Sequence, residues 1–235
     1  MVTTEFPPYM SEQMPEQGVV VAITRAALAS QGWRLELAFR PWARVLSELE
    51  QGQHDAVLGV WFQTERERYV DYSRPTGIAT PIGFYAVRAG VDAGIGASTA
   101  GGRAPLDLAG KRIATVTGYA NPPSFEQACA EQRCRQERGS SDLVNLRKLL
   151  AGRVDLVLID KGVAAHLIAS NRPSLRGAEQ LFWLDPPIER MPLHLGVSKA
   201  LAKHQQLRAL LDQGLLAIER SGELERIRQR WKALL

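Results

Sequence analysis

A charged corner, Thr64-Glu65-Arg66-Glu67-Arg68, follows a short apolar stretch from Asp55 to Val60 and two aromatics, Trp61 and Phe62. The apolar stretch has the length and the polar borders of a buried strand in a parallel sheet. Ligands of open α/β sheets bind beyond the carboxyl ends of the strands, so Trp61 to Arg66 is the first place to look for recognition chemistry. The chemistry on offer is non-covalent. Trp61 presents an aromatic face, which favours cations and flat groups, and Arg66 presents a fixed positive charge. Both also have plain structural readings: residues 65–68 alternate in sign as exposed corners do, and Trp61, Phe62, Phe6 and Tyr119 fit a core.

Two further stretches end in polar groups. Lys111 to Val116 reads as a strand running into Thr117-Gly118-Tyr119-Ala120-Asn121-Pro122-Pro123, with a helix carrying Phe125 and Ala128 beyond. A strand, a glycine turn and a helix start turn backbone N–H groups towards an anion. Asp160 closes another apolar strand, and its structural role would be to cap a helix beginning near Gly162. Gly94-Ile95-Gly96 lies in a Gly- and Ala-rich loop from Ala89 to Pro105. That loop lacks a Gly-Lys-Ser/Thr ending and precedes no helix directly, so it reads as a surface excursion rather than a phosphate loop. No catalytic triad, metal cluster or cofactor fingerprint is visible, and neither a cofactor nor a metal is expected.

The positioning elements follow in order. Residues 2–9 read as a strand ending at a Pro-Pro turn that leaves Phe6 and Tyr9 at its mouth, and residues 19–30 as a helix stopped by Gly32. Residues 33–39 alternate as a strand does. Pro41 opens a helix with Trp42, Val45, Leu46 and Leu49 at helical spacing, ended by Gly52. Residues 82–88 and 192–197 read as strands, and two helices near 207–220 and 223–234 close the chain. The most informative regularity is internal: Leu49-x-x-Gly52-x-x-Asp55-x-Val57-Leu58 recurs as Leu149-x-x-Gly152-x-x-Asp155-x-Val157-Leu158. A helix, a glycine stop and a buried strand repeated in this way argue for two lobes of similar α/β design. If the lobes face each other across a cleft, Arg66 and Asp160 approach it from opposite sides.

The bulk numbers narrow the classes. A chain of 235 residues with 45% hydrophobic and 23% charged residues is long enough for a full core and ordinary for a globular protein. The net charge of +4 is dispersed, with acidic residues interrupting the basic clusters, so nucleic acid is not an expected partner. No apolar run is long enough to span a bilayer, and no basic segment followed by an apolar one marks a signal peptide. Strand-like residues begin at Val2, the pattern of a mature domain with its leader removed and equally of a cytosolic protein. Cys129 and Cys134 lie in a polar, helix-like segment, where two separate thiols and a local disulfide both fit the spacing.

The combined order of motifs resembles the bacterial extracellular solute-binding proteins of family 3, which serve ABC importers for polar amino acids. The pieces are Phe6-Pro7-Pro8-Tyr9, the stretch from Trp42 to Asp55, and Thr64-Glu65-Arg66 leading to Asp71-Tyr72-Ser73-Arg74-Pro75. The second half adds Asp107 to Ile113 and Gly152 to Asp155, and the ending runs from Ser221 to Trp231. The resemblance covers essentially the whole chain. It implies a periplasmic-binding-protein-like (type II) clamshell of α/β class, each lobe a mostly parallel sheet flanked by helices, with two hinge strands. Lobe one would take residues 1–86 and 194–235, and lobe two residues 87–193. It also implies a monomeric periplasmic protein without catalysis that closes on a small-molecule ligand and hands it to a membrane ABC permease. In amino-acid binders of this family the corner arginine takes the α-carboxylate and the aspartate after the second strand takes the α-ammonium, positions matched by Arg66 and Asp160. A guanidinium fork suits a carboxylate, and a carboxylate suits an ammonium, in a site shielded from water.

The departures from the family pattern bear on the ligand. Trp61 and Phe62 stand where small hydroxyl or glycine residues are usual. The corner is one residue shorter, so Arg68 stands beside Arg66 as the anion-binding candidate. Gly118-Tyr119-Ala120 replaces Gly-Thr-Thr, and Gly18-Val19-Val20 replaces Gly-Phe-Asp. The expected site is therefore Phe6, Trp61, Phe62, Thr64 and Arg66 with Gly118, Tyr119 and Asp160, more aromatic and with fewer hydroxyls than the family's. Two other readings share the fold: a dehydratase-like enzyme, for which Glu189 is the only nominee as general acid, and the ligand-sensing domain of a membrane receptor.

Overall fold

The computed structural model describes residues 1–88 and 107–234, so Gly94-Ile95-Gly96 and its loop lie outside the described residues. In chain order the first elements are β1 (Val2–Thr3), α1 (Val19–Ala29), β2 (Ala38–Phe39), α2 (Trp42–Glu50), β3 (Ala56–Trp61) and β4 (Val70–Val87). Then come β5 (Lys111–Val116), α3 (Pro123–Ala130), β6 (Cys134–Gly139), α4 (Asp142–Leu150), β7 (Leu156–Asp160) and α5 (Lys161–Ser170). The chain closes with β8 (Leu181–Ser198), α6 (His204–Arg220) and α7 (Glu223–Trp231). The chain splits into two compact units, Met1–Thr80 with Met191–Leu235, and Pro81–Arg190. The strands β4 and β8, 18 residues each, run from one unit into the other.

In the first unit β3 is buried along its whole length. β1 lies parallel beside it, with Val2 opposite Val57, and β8 antiparallel, from Ala56 opposite Val197 to Trp61 opposite Leu193. The register shifts between Leu58 and Val60. Gly59 has φ +78° there, and a β-carbon on it would sit 2.3 Å from the Met10 side chain. Glycine meets both demands, and the bulge sets the direction in which Trp61 leaves the strand. α2 lays Val45 and Leu49 on Val2, Val57, Val60 and Val70, with Trp42, Tyr69 and Tyr72 packed at the margin.

The second unit is a smaller copy of the same design. β5 runs parallel to β6 in full register, Lys111 opposite Cys134 to Val116 opposite Gly139, and parallel to β7 on its other side. β7 pairs antiparallel with β4, Ile82 opposite Asp160. The internal repeat marks corresponding places in the two units. Gly52 (φ +70°) and Gly152 (φ +66°) each donate to the carbonyl three residues back, Leu49 and Leu149, at 3.0 Å. Gln53 and Arg153 each donate five back, to Glu48 and Lys148, at 2.9 Å. β3 and β7, which follow, each have a parallel strand on one side and an antiparallel one on the other.

Three local expectations change. The strand over 2–9 shrinks to Val2–Thr3, because the chain folds back on itself and Phe6 and Met10 exchange backbone hydrogen bonds at 2.8 and 3.1 Å. The alternating stretch 33–39 keeps only Ala38 and Phe39 as strand, since β1 offers partners to those two residues alone. The helix-like segment around the cysteines is divided: Cys129 lies in the last turn of α3 and Cys134 begins β6, whose polar sequence CRQERG suits a charged strand at the sheet edge.

The two sulfurs are joined in a disulfide with Cα atoms 4.8 Å apart, which ties α3 to the start of β6. A closed loop this short removes little chain entropy, so replacing both cysteines with serine is expected to cost about 2 kcal/mol in a urea unfolding experiment. An unchanged midpoint would show that the bridge carries no stability.

Candidate functional site

In the first unit the corner after β3 is a single 3-10 turn, Thr64–Arg66, and it separates the two candidate arginines. Arg66 is 4% exposed and its guanidinium lies over the Trp42 ring, 5.4 Å from the centroid. It also hydrogen-bonds with the Tyr69 and Tyr72 phenols. Burial raises the pKa of both phenols, and the charge of Arg66 pulls it partly back. Arg68 is exposed, paired with Glu50 at 3.3 Å and stacked over Tyr69. The fork held by packing is therefore that of Arg66, while Arg68 is a solvated surface charge, the role the alternating signs suggest for the whole run.

The aromatic candidates fall into two groups. Phe6 meets Trp61 edge to face at 5.5 Å, and Tyr9 stacks on Phe6 at the same distance. The Trp61 indole N–H donates to Thr80 Oγ1 at 3.0 Å, so this ring is anchored within the unit. Phe62 is 48% exposed and leans on Tyr72 at 5.1 Å, which connects it through Tyr72 to Arg66. Thr64 is exposed at the head of the turn, its carbonyl accepting from the Glu67 N–H at 3.0 Å.

In the second unit Gly118 and Tyr119 follow β5 and Asp160 closes β7, its parallel neighbour, so all three lie beyond the carboxyl ends of adjacent strands. Gly118 is exposed with φ +79°, the left-handed conformation this turn requires. Asp160 is 1% exposed, and its Oδ1 accepts from the Val163 N–H at 2.8 Å, which caps α5. Its negative charge reaches Tyr85 on β4, whose phenol pKa is raised by burial first and by Asp160 second. The neighbouring Lys161 ammonium lies over Trp183 at 5.3 Å and pairs with Asp185 at 3.5 Å. Tyr119 hydrogen-bonds to the carboxyl group of Asp142, and burial together with that contact pushes the phenol pKa well above its ordinary value.

Trp42, Tyr69, Tyr72 and Asp142 surround the candidate residues without having been singled out for the site. Trp42 sits on the apolar stripe of α2 and reads as core, which it half is. Asp142 had a signal in the sequence: Asp142, Asn145, Leu146 and Leu149 share one helical face, and all four are buried. Glu189 is exposed to solvent on β8, unlike the buried Arg66 and Asp160. Among the described residues no group of His, Cys, Asp and Glu could hold a metal ion, and no helix is long and apolar enough to cross a membrane.

The model of the bacterial extracellular solute-binding proteins, family 3, matches residues 1–233. The chain belongs to that family. No curated protein sequence matches this family member. Among solved structures, a histidine kinase sensor domain with similarity to periplasmic binding proteins aligns with a TM-score of 0.76 at 21% identity, over 98% of this chain and 94% of the other. The substrate binding protein of an amino acid ABC transporter aligns at 0.71 and 19%, over 98% and 97%. An ancestral amino acid-binding protein, a precursor of cyclohexadienyl dehydratase, aligns at 0.71 and 18%, over 98% and 93%. Likenesses at these identities establish the fold, which is the two-lobed α/β fold of periplasmic-binding-protein-like domains. Membership of a solute-binding family establishes ligand capture as the kind of work such a chain does.

Proposed function

We propose that this family member is a periplasmic, non-catalytic solute-binding protein that captures an amino acid or a related small charged compound and delivers it to a membrane ABC permease. The observation that carries the reading is the pair of corresponding strand ends. Each unit has a helix, a glycine stop and a buried strand, and each strand leads to one buried charged group, Arg66 in one unit and Asp160 in the other. Arg66 takes the carboxylate of the solute and Asp160 its ammonium group, while Phe6, Trp61, Phe62 and Tyr119, with Thr64 and Gly118, shape the rest of the site. Solute that binds one state of the protein more tightly than another raises the population of that state, which is the form a permease reads. The likeness to an amino acid transporter's binding protein supports this reading, and the exposure of Glu189 counts against a dehydratase.

Calorimetric titration with the common L-amino acids tests the proposal. Asp160→Asn is the informative variant, because asparagine also caps a helix and the fold is kept. Its affinity for the bound amino acid is expected to fall by about 2 kcal/mol, roughly thirtyfold, with an unchanged melting temperature. Equal affinity in both proteins would remove Asp160 from the site.

A sensory role is favoured by one specific observation, the alignment with a histidine kinase sensor domain. A host strain lacking the gene separates the two. Loss of uptake of the bound amino acid supports the importer role, whereas intact uptake with a lost transcriptional response supports the sensory one.

A further inference from the structure

At the carboxyl ends of β5 and β6, two buried polar side chains of α4, Asp142 and Asn145, share one helix face of the second unit. The turn after β5 is fastened to β6, because Thr117 donates to the Gly139 carbonyl from its N–H at 2.9 Å and from its hydroxyl at 3.2 Å. α4 starts from the same place, with Ser141 Oγ accepting from the Val144 N–H at 3.3 Å. Its first turn carries Asp142, 6% exposed, and one turn further Asn145, fully buried. Asn145 donates to the Thr115 carbonyl at 2.9 Å, and its Oδ1 fills the space a β-carbon on Gly139 would take. Tyr119, half-buried in the turn after β5, donates its phenol to the Asp142 carboxyl group.

We propose that Asp142 is a positioning residue: its buried carboxyl group holds the Tyr119 phenol in place beyond β5, and its protonation state sets how firmly, so that solute capture depends on pH. This rests on Tyr119 being part of the solute site as proposed above. The start of a helix favours the charged form of Asp142, and so does the phenol that donates to it. Burial opposes both and prevails, leaving the carboxyl group with a pKa pushed up to about 7. Other titratable groups on the elements packed here are Lys111 and Arg112 at the far end of β5, Asp160 at the end of β7, and Glu126 on α3, bonded to Asn121. On β6 and α4 they are Arg135, Glu137, Arg138, Arg147 and Lys148, all exposed or half-exposed. Ionised, Asp142 accepts a charge-assisted hydrogen bond from Tyr119. Protonated, it offers an ordinary one, roughly half as strong.

Carbon-13 NMR of the solute-free protein from about pH 5 to about pH 9 is the direct test, since the whole interval lies above the ordinary aspartate pKa. The Asp142 carboxyl carbon is expected to titrate in the neutral range, and the Tyr119 ring carbons to follow with the same midpoint. In Asp142→Asn the Tyr119 signals are expected to stay flat. In Tyr119→Phe, which removes the donor without emptying the corner, the midpoint of Asp142 is expected to rise. An Asp142 that stays ionised throughout, or Tyr119 signals that ignore it, would overturn the proposal.

Titration with L-arginine and L-glutamine supplies the second arm. Affinity in the wild type is expected to drop about fivefold on acidification across the midpoint, the worth of one buried hydrogen bond, and Asp142→Asn is expected to abolish the difference. A pH difference that persists in Asp142→Asn overturns the link to capture. If neither amino acid binds, the link to capture falls with the functional reading, and the spectra alone decide whether Asp142 positions Tyr119.

Discussion

Arg66→Lys is expected to weaken solute binding by about a hundredfold while leaving the protein folded. The substitution keeps the positive charge and most of the stem but replaces a flat fork with a point charge, and it gives up two parallel hydrogen bonds to a carboxylate. A loss near 3 kcal/mol is what removing a buried, hydrogen-bonded partner produces, and it corresponds to that fold-change. Arg66→Ala would add a hole beside Trp42, Tyr69 and Tyr72, so its binding loss mixes recognition with packing. Lysine separates the two. Arg68→Ala is the control, because Arg68 is a surface residue paired with Glu50, and pairs of that kind contribute little. Titration calorimetry on the three variants, with circular dichroism melts alongside, decides the matter. Wild-type affinity in Arg66→Lys, or a large loss in Arg68→Ala, would reassign the anion-binding arginine.

Asp142→Asn is expected to be the more stable protein above neutral pH, and the gap is expected to close in acid. Asp142 has a folded pKa of about 7 against 3.8 without the fold. Between those values the folded chain keeps a proton that the unfolded chain releases, so the contribution of Asp142 to stability is fully present below the lower value. It is lost as pH rises through the upper one. At about 1.36 kcal/mol per pKa unit the full swing is near 4 kcal/mol, or about 10 °C in melting temperature for a chain of this length. Asparagine has the same shape and no proton to lose. Melting curves recorded for both proteins at about pH 5 and about pH 8 sample about two of those units, near 3 kcal/mol, and isolate this one group, since every other titration is common to the pair. Parallel pH dependences would show that Asp142 ionises as freely in the fold as out of it.

Elements marked by a strong apolar period or by glycine stops were legible in the sequence. The strand Lys111–Val116 and the helix–glycine–strand pair around Gly52 and Gly152 appear in the structure where the pattern puts them. What escaped was decided by pairing. β6 reads as helix-like because its side chains are polar, and it becomes a strand because β5 offers a six-residue parallel edge in register. Residues 33–39 alternate convincingly but find a partner only at Ala38 and Phe39.

The candidate site was legible as residue types and less so as surroundings. Sign alternation cannot distinguish Arg66 from Arg68; their burial can, and it follows from how the turn Thr64–Arg66 winds against α2. Trp61 reads as a platform for a ligand, yet its indole is already committed to Thr80, a partner nineteen residues later. Asp142 stood in plain view as a polar position on an apolar helical stripe. Its importance depends on Tyr119, which reaches it from a different strand end.

The first unit is made from both ends of the chain, and the second from the uninterrupted middle. α1 packs against α6 so closely that a β-carbon on Gly214 would come within 2.4 Å of the Ala27 carbonyl. That face of α1 is covered by residues that follow the whole of the second unit in sequence. A variant truncated after residue 203 would keep every residue of the second unit and leave α1 without its cover, an oily helix face open to aggregation.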